Sequence, residues 1–285
     1  MADGDAERSD DAIPARVGST AAIITRMPQP VAITREVSPA LGACELTYLE
    51  RVPIDVELAR AQHHAYERAL VDAGYLVERI DAGPDMPDSV FIEDIAIVFD
   101  ELAILTRPGA QSRRVETPAV AEALARHRPL EMIAPPGTVD GGDVLVAGRR
   151  VFIGRSTRTN AAAVAGMRQI LGPRGYTVCD LVVHGCLHLK SAVTALADDL
   201  LLVNPAWVDR ATVAGIACIE VDPAEPSAAN ALRLDDRVIF PAAFPRTAER
   251  LVACGLRLVL VDASELAKAE GAVTCCSLII PGGRA

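Results

Sequence analysis

Residues 94–106 read DIAIVFDELAILT, two short apolar runs separated by the acidic pair Asp100 and Glu101. Short runs of apolar and β-branched residues bounded by a polar turn are typical of β-strands. Two such runs with so few residues between them predict a hairpin. This stretch decides the fold because its pattern returns along the chain.

The pattern recurs at three later places and once more at the two ends of the chain. The three later hairpins pair residues 143–146 with 151–154, 192–196 with 200–203, and 230–234 with 237–241. Strands are also predicted at 22–26, 31–34 and 273–280. The two end segments, 22–34 and 273–280, therefore supply a fifth unit that is closed by strands from both ends of the chain.

Helical patterns follow the hairpins. Residues 56–73 place Leu58, His63, Tyr66 and Leu70 at helical spacing, and Gly74 is a suitable stop. Further helices are predicted at 117–127, 160–171, 247–254 and 209–216, with strands after them at 130–133, 177–179 and 256–261. A unit of hairpin, helix and strand with a period of roughly 40 to 50 residues is typical of a propeller or array. Paired strands exclude a simple doubly wound sheet. We expect one α/β domain over residues 21–285.

Composition narrows the function further. The chain has 285 residues, 51% of them hydrophobic, and a net charge of -10. This charge argues against a nucleic-acid surface, since phosphate binding depends on clustered Lys and Arg. The seven cysteines contain no CxxC pair, and no signal segment opens the chain, so a reducing, cytoplasmic setting is expected. The acidic residues 1–20 bury too little apolar surface to fold and predict a disordered tail.

Residues suited to catalysis stand at the starts of the hairpins, which converge at the centre of a ring. These are the segments 88–94 (DSVFIED), 140–143 (DGGD), 188–191 (HLKS), 228–230 (AAN) and 274–275 (TC). A cysteine beside a histidine is the minimum for thiolate catalysis, with a carboxylate to hold the imidazole. Additional carboxylates favour a cationic substrate, and a planar guanidinium can be bound bidentately.

Cys275 and Cys276 precede an apolar run. On a regular strand neighbouring side chains face opposite ways, so only one of the two can enter the site and the other packs. Both being small buried hydrophobes is the alternative that this stretch leaves open. We identify Cys275 as the candidate nucleophile.

Five segments resemble dimethylarginine dimethylaminohydrolases of the guanidino-group-modifying superfamily. They are residues 87–114 (PDSVFIEDIAIVFDELAILTRPGAQSRR), 139–145 (VDGGDVL), 158–160 (RTN), 187–191 (LHLKS) and 273–277 (VTCCS). The likeness runs from about residue 22 to residue 280. It implies the pentein fold, a five-bladed α/β propeller of ββαβ-type units, and conversion of Nω-methylated arginine to citrulline and dimethylamine or methylamine.

The resemblance also assigns roles. Cys275 would attack the guanidinium carbon, His188 would protonate the leaving amine and later activate water on the thiouronium intermediate, and Asp140 would orient His188. The remaining residues would bind substrate: Asp94 and Glu93 at the guanidinium, Asp88 at a further contact, Arg113 and Arg158 at the α-carboxylate, and Leu46 in a lid. Glu270 departs from the family, where Asp is frequent before the glycine.

No cofactor and no catalytic metal is implied, although zinc could inhibit by binding Cys275 and His188. The sequence does not fix the oligomeric state, and a homodimer is one candidate. Two other functions stay open: an arginine deiminase acting on unmethylated arginine or another guanidine, and a non-catalytic propeller that only binds a guanidino compound.

Overall fold

The computed structural model describes Met1 and residues 29–282, and over these residues it contains five three-stranded sheets. In each sheet the middle strand pairs antiparallel with an inner strand and parallel with an outer one. We call each sheet with its helix a blade. The predicted tail 1–20 and the predicted strand 22–26 lie outside the described residues, Met1 excepted.

Each blade runs from an inner strand through a middle strand to an outer strand. In this order, blade 1 has β15 (Ser277–Ile280), β1 (Val31–Arg35) and β2 (Leu76–Ile80); blade 2 has β3 (Ala96–Val98), β4 (Ala103–Leu105) and β5 (Leu130–Met132). Blade 3 has β6 (Val144–Ala147), β7 (Arg150–Arg155) and β8 (Thr177–Val182); blade 4 has β9 (Val193–Ala197), β10 (Leu200–Val203) and β11 (Ala217–Glu220). Blade 5 has β12 (Leu232–Leu234), β13 (Arg237–Pro241) and β14 (Leu258–Val261). All four predicted hairpins are present, and the two ends of the chain close blade 1 as expected.

Helices join middle to outer strands. They are α1 (Val56–Asp72), α2 (Thr117–Ala125), α3 (Ala161–Leu171) and α5 (Pro245–Ala253), while α4 (Leu189–Ala192) and α6 (Ser264–Ala267) are single turns. The predicted helix at 209–216 is wrong: the structure has only a 3-10 turn at Arg210–Val213. Asp209 caps that turn through the amide of Ala211, and Gly215, at φ 81°, turns the chain out of it.

The apolar core consists of five clusters, each between two neighbouring blades. For example, Leu70 of α1 packs with Leu234 and Ile239 of blade 5, and Met167 of α3 packs with Ile97 and Ile104 of blade 2. The other three clusters fill the spaces between blades 1 and 2, 3 and 4, and 4 and 5. The predicted fold class, a five-bladed α/β propeller, is confirmed. We propose that residues 21–285 form one domain, because no blade can leave the ring without exposing two of these clusters.

The inner strands begin on one side of the ring, where short turns precede them. Ile92–Ile95 leads into β3, Gly141–Asp143 into β6, and α4 into β9. Because these turns carry the predicted catalytic segments, the topology brings them together. Within residues 29–282, no helix has the length and apolar character needed to cross a bilayer.

Candidate active site

A cleft lies where these turns meet. Its lining includes seven of the nine predicted site residues: Asp88, Asp94, Arg113, Asp140, Arg158, His188 and Cys275. Glu45, Phe91, Leu187, Ala269, Glu270 and Gly271 complete it. Among the described residues, five carboxylates and two guanidiniums line the cleft, so its walls carry excess negative charge.

The two adjacent cysteines have different surroundings. Cys275 lines the cleft and is half-buried, whereas Cys276 is 1% exposed and belongs to the core cluster between blades 1 and 5. The predicted reason, alternation along a strand, does not apply to the pair because β15 starts only at Ser277. Both cysteines instead lie in the turn that precedes β15, in which the amide of Cys275 donates to the carbonyl of Ala272 over 3.1 Å.

Buried acids surround the His188 imidazole. Nε2 lies 3.3 Å from Oδ2 of Asp140, and Nδ1 lies 3.9 Å from Oδ1 of Asp94. Burial alone would lower the pKa of His188, but the charge of Asp94 and the hydrogen bond to Asp140 outweigh it and raise the pKa to about 9. The imidazole is therefore protonated at neutral pH, as an acid for a leaving group must be.

Glycines allow the close approach of these groups. A Cβ on Gly142 would lie 2.6 Å from Nδ1 of His188 and 2.9 Å from Oδ1 of Asp94. A Cβ on Gly271 would lie 2.1 Å from the ring of Phe91. Glycine is thus required at positions 142 and 271, since a side chain at either position would displace the imidazole or the cleft wall.

Asp94 and Arg113 form a buried ion pair. Nη1 of Arg113 donates to Oδ2 of Asp94 over 2.5 Å, and the rest of the guanidinium binds Glu116 and the carbonyls of Asp88 and Phe91. Burial would raise the pKa of Asp94, but His188 and Arg113 hold it below its usual range. Removing one partner of such a buried ion pair lowers the free energy of unfolding by about 3–5 kcal/mol. We therefore expect the pair of Asp94 and Arg113 to persist.

Asp140 is fully buried and contacts three parts of the cleft. Its Oδ1 accepts the amide of Gly109 over 2.8 Å, its Oδ2 faces His188, and Nη1 of Arg158 lies 3.9 Å from Oδ2. Asp88, also buried, accepts the amide of Glu45, and burial raises its pKa to about 6.

Two predicted site residues do not line the cleft. Glu93 accepts hydrogen bonds from Nζ of Lys190 over 2.6 Å and from Oγ1 of Thr274 over 2.8 Å, and it lines a separate cavity along the inner strands. Leu46 is half-buried against the core cluster between blades 1 and 5. Their predicted substrate contacts stay predictions.

The segment around Leu46 is attached to the cleft at several points. Glu270 accepts hydrogen bonds from three successive amides, those of Thr47, Tyr48 and Leu49, over 3.0, 2.5 and 2.6 Å. Consecutive N–H groups of this kind form an anion-binding concavity. We call residues 45–49 the lid segment.

Sequence reasoning missed Glu45, whose carboxylate accepts a hydrogen bond from Ser112 and lines the cleft. Nothing in its neighbourhood marks it, because its partners lie far along the chain. It also missed Glu116, which holds Arg113; their spacing of three residues in one helical turn is a signal that could have found it.

Comparison with known proteins agrees with this architecture, although no protein-family profile matches the chain. The N(G),N(G)-dimethylarginine dimethylaminohydrolase of Streptomyces coelicolor is 42% identical over 254 residues, covering 88% of this chain and 97% of that protein. The protein of the same name from Pseudomonas aeruginosa is 38% identical over 226 residues, covering 79% and 89%. A structure of the Pseudomonas enzyme, a cysteine-to-serine mutant complexed with citrulline, superposes with a TM-score of 0.84 at 36% identity and covers 89% of this chain and 100% of that one.

Five blades of this topology around an acidic cleft define the class, the pentein-fold α/β propellers. Within that class, the chain belongs to the dimethylarginine dimethylaminohydrolase family. The resemblance found in the sequence motifs is thereby confirmed.

Proposed function

We propose that the chain hydrolyses Nω-methylated arginines to citrulline and dimethylamine or methylamine. One observation carries this proposal: Cys275, His188 and Asp140 line a single acidic cleft in a chain that is 42% identical to a dimethylarginine dimethylaminohydrolase. Small-molecule hydrolysis at a guanidino C–N bond is the chemistry that the relatives' names describe.

The distribution of charge supports a substrate that has a cation at one end and a carboxylate at the other. We assign the guanidinium to Asp94, next to His188 and Cys275, because its lowered pKa keeps it ionised. We assign the α-carboxylate to Arg158, whose Nη1 lies 3.9 Å from Oδ2 of Asp140. A contact of the α-carboxylate with Arg113 stays a prediction from the resemblance, because the Arg113 guanidinium already pairs with Asp94 and Glu116. The lid segment with Leu46 would then cover the bound amino acid.

In the first half-reaction, the Cys275 sulfur attacks the central guanidinium carbon and forms a C–S bond. The C–N bond to the methylated nitrogen then breaks, and His188 supplies the proton with which the amine leaves. Burial and the charges of Glu93 and Asp94 raise the pKa of the free Cys275 thiol to about 12. A bound guanidinium offsets these charges, so we expect the thiol to release its proton to solvent and the thiolate to form only when substrate is present.

In the second half-reaction, His188 is neutral and accepts a proton from water. The hydroxide adds to the same carbon, the C–S bond breaks, and citrulline leaves with the sulfur again anionic. Asp140 holds the imidazole through both steps. A lid suits this order of steps because it excludes water from the cleft until the amine has left.

Steady-state turnover with different guanidines tests the proposed function. We expect asymmetric dimethylarginine and monomethylarginine to release citrulline and an amine, with kcat/KM at least about 100-fold above that of arginine. A chelator is included in the assay to remove inhibitory metal ions. Faster turnover of arginine would favour the deiminase alternative. Binding without any turnover would favour the non-catalytic alternative.

The raised thiol pKa predicts the reactivity of the free chain. Peptide mass spectrometry measures the rate at which iodoacetamide alkylates Cys275. This rate should rise about tenfold per pH unit from about pH 7 to about pH 10, without a plateau. The reason is that the thiolate fraction keeps growing until the pH reaches the pKa of about 12. Alkylation of the exposed Cys254, measured in the same digest, controls for changes in the reactivity of iodoacetamide itself. A plateau between about pH 7 and 9 would show instead that the free chain already holds a thiolate.

The contacts of Glu270 predict an effect on substrate binding. In Glu270→Gln, the loss of charge weakens the hydrogen bonds from the amides of Thr47, Tyr48 and Leu49. Hydrogen exchange of the amides in residues 47–49 should therefore accelerate. KM for dimethylarginine should rise about 3–10-fold, and kcat should change less. Glu50→Gln, which alters an exposed acid in the same loop, is the matched control. Unchanged exchange in the Glu270→Gln protein would show that the carboxylate does not hold the lid segment.

Three further features belong to this proposal. Ligand atoms of Asp94, Asp140 and His188 lie within 4.8 Å of one another, a group that does not include Cys275. An inhibitory zinc ion at Cys275 and His188 stays a prediction from the sequence. A homodimer and a cytoplasmic location stay predictions from the sequence. Zinc titration of turnover and sedimentation of the purified chain test the first two.

A further inference from the structure

Asp143, the last residue of the DGGD segment, has a carboxylate with no exposure to solvent. Its Oδ1 accepts the backbone amide of Leu189 over 3.0 Å. Its Oδ2 accepts the hydroxyls of Ser156 and Thr159, each over 2.6 Å. A buried carboxylate is costly unless its oxygens are satisfied, and here three donors from two separate loops satisfy them.

Each of these donors belongs to, or adjoins, a residue of the candidate site. Leu189 follows His188 directly, so the bond to its amide holds the turn that presents the imidazole. The hydroxyl of Ser156 also accepts the amide of Arg158 over 3.0 Å. The hydroxyl of Thr159 accepts the amide of Asp140 over 3.3 Å.

These contacts differ from those of a residue that serves only the core. Asp143 does not line the cleft, yet its hydrogen bonds reach the backbone or the immediate neighbours of residues on both sides of the proposed chemistry. Apolar neighbours such as Leu189 already supply core packing at these turns, so the core does not need a carboxylate here. The carboxylate is also unfavourable there, because burial raises the pKa of Asp143. The acid is therefore placed where it aligns the two loops.

We propose that Asp143 is a positioning residue that fixes the His188 turn and the Arg158 loop relative to Asp140. This inference rests on the proposed function for its kinetic consequence. Asp143 touches neither substrate nor sulfur; it acts through the backbone of the residues that do. Its loss should therefore affect both the chemical step, through His188, and the binding of the α-carboxylate, through Arg158.

Two substrates separate these effects. Dimethylarginine uses both loops, whereas N,N-dimethylguanidine has no α-carboxylate and depends on the His188 turn alone. In Asp143→Ala we expect kcat to fall about 30–100-fold with either substrate, and KM to rise only with dimethylarginine. Asp143→Asn keeps an acceptor for Leu189, and the hydroxyls of Ser156 and Thr159 can rotate to accept, so it should recover kcat to within about tenfold.

Asn204→Ala is the matched control, because Asn204 is a buried polar residue that follows the middle strand of blade 4, its side chain bonds only backbone groups, and it does not line the cleft. Its loss should lower the melting temperature without changing kcat. Amide exchange in peptides covering 156–160 and 187–192 should accelerate in Asp143→Ala and not in Asn204→Ala. Unchanged kcat in Asp143→Ala, or unchanged exchange in both peptides, would overturn the inference. If the unsubstituted chain has no turnover, the proposed function is wrong, and the exchange result still decides whether Asp143 holds the two loops.

Discussion

Replacement of Cys275 by serine is expected to reduce kcat for dimethylarginine by about 10⁴-fold or more. The hydroxyl is a far weaker nucleophile than the thiolate, and its pKa is much higher than that of a thiol, so a bound guanidinium does not ionise it. Serine is close to cysteine in size and residue 275 is half-buried in a turn, so the melting temperature should change little. Amine release, followed under single-turnover conditions, measures the loss.

Cys276→Ala is the control for this substitution. Cys276 lies in the core, so its truncation should lower stability by about 1 kcal/mol and leave kcat within a few-fold. Binding of dimethylarginine to the Cys275→Ser protein, measured by calorimetry, should be retained because the carboxylates are intact. More than a tenth of the original kcat in the Cys275→Ser protein would exclude Cys275 as the nucleophile.

Replacement of His188 by asparagine is the second large effect, a fall in kcat of about 10³-fold. Asparagine can fill part of the space and keep part of the hydrogen bonding to Asp140 but cannot deliver a proton to the departing amine. In the unsubstituted chain, kcat should be constant at neutral pH and fall at alkaline pH, where the imidazolium, whose pKa in the free chain is about 9, loses its proton. The residual activity of the His188→Asn protein should lack this fall.

His184→Asn tests whether the effect is specific. His184 is exposed and lies in the loop that leads to His188, so its replacement should change neither kcat nor the alkaline limb. An alkaline limb that persists in the His188→Asn protein would assign the titration to a group other than His188.

The hairpin pattern predicted the fold because four of the five antiparallel strand pairs in the described part of the chain are local hairpins. The remaining pair, β1 with β15, followed from the apolar runs at both ends of the chain. Of the residues at the hairpin starts, Asp88, Asp94, Asp140, His188 and Cys275 line the cleft, whereas Glu93 and Thr274 line the separate cavity. The helix at 209–216 failed because its periodicity spans a segment that begins at the capping Asp209 and turns away at Gly215, which limits the helical turn to four residues.

Other features were beyond the sequence for geometric reasons. Glu93 and Asp94 are neighbours in one 3-10 turn, and only the structure shows that Asp94 faces the cleft while Glu93 faces Lys190. Glu270 binds amides more than 220 positions earlier in the chain, a pairing that no local pattern indicates. Asp143 lies within the DGGD motif, but its partners Ser156 and Thr159 became evident only in three dimensions.

The central claim is that the Cys275 sulfur bonds covalently to the guanidinium carbon. It is tested most directly by acid-quenching the chain during turnover of dimethylarginine and measuring the masses of its cysteine peptides. We predict that the peptide containing Cys275 carries the substrate minus dimethylamine, and that this mass disappears in the Cys275→Ser protein. Continued amine release with no adduct on Cys275 at any quench time, and with unchanged turnover in the Cys275→Ser protein, would contradict the account.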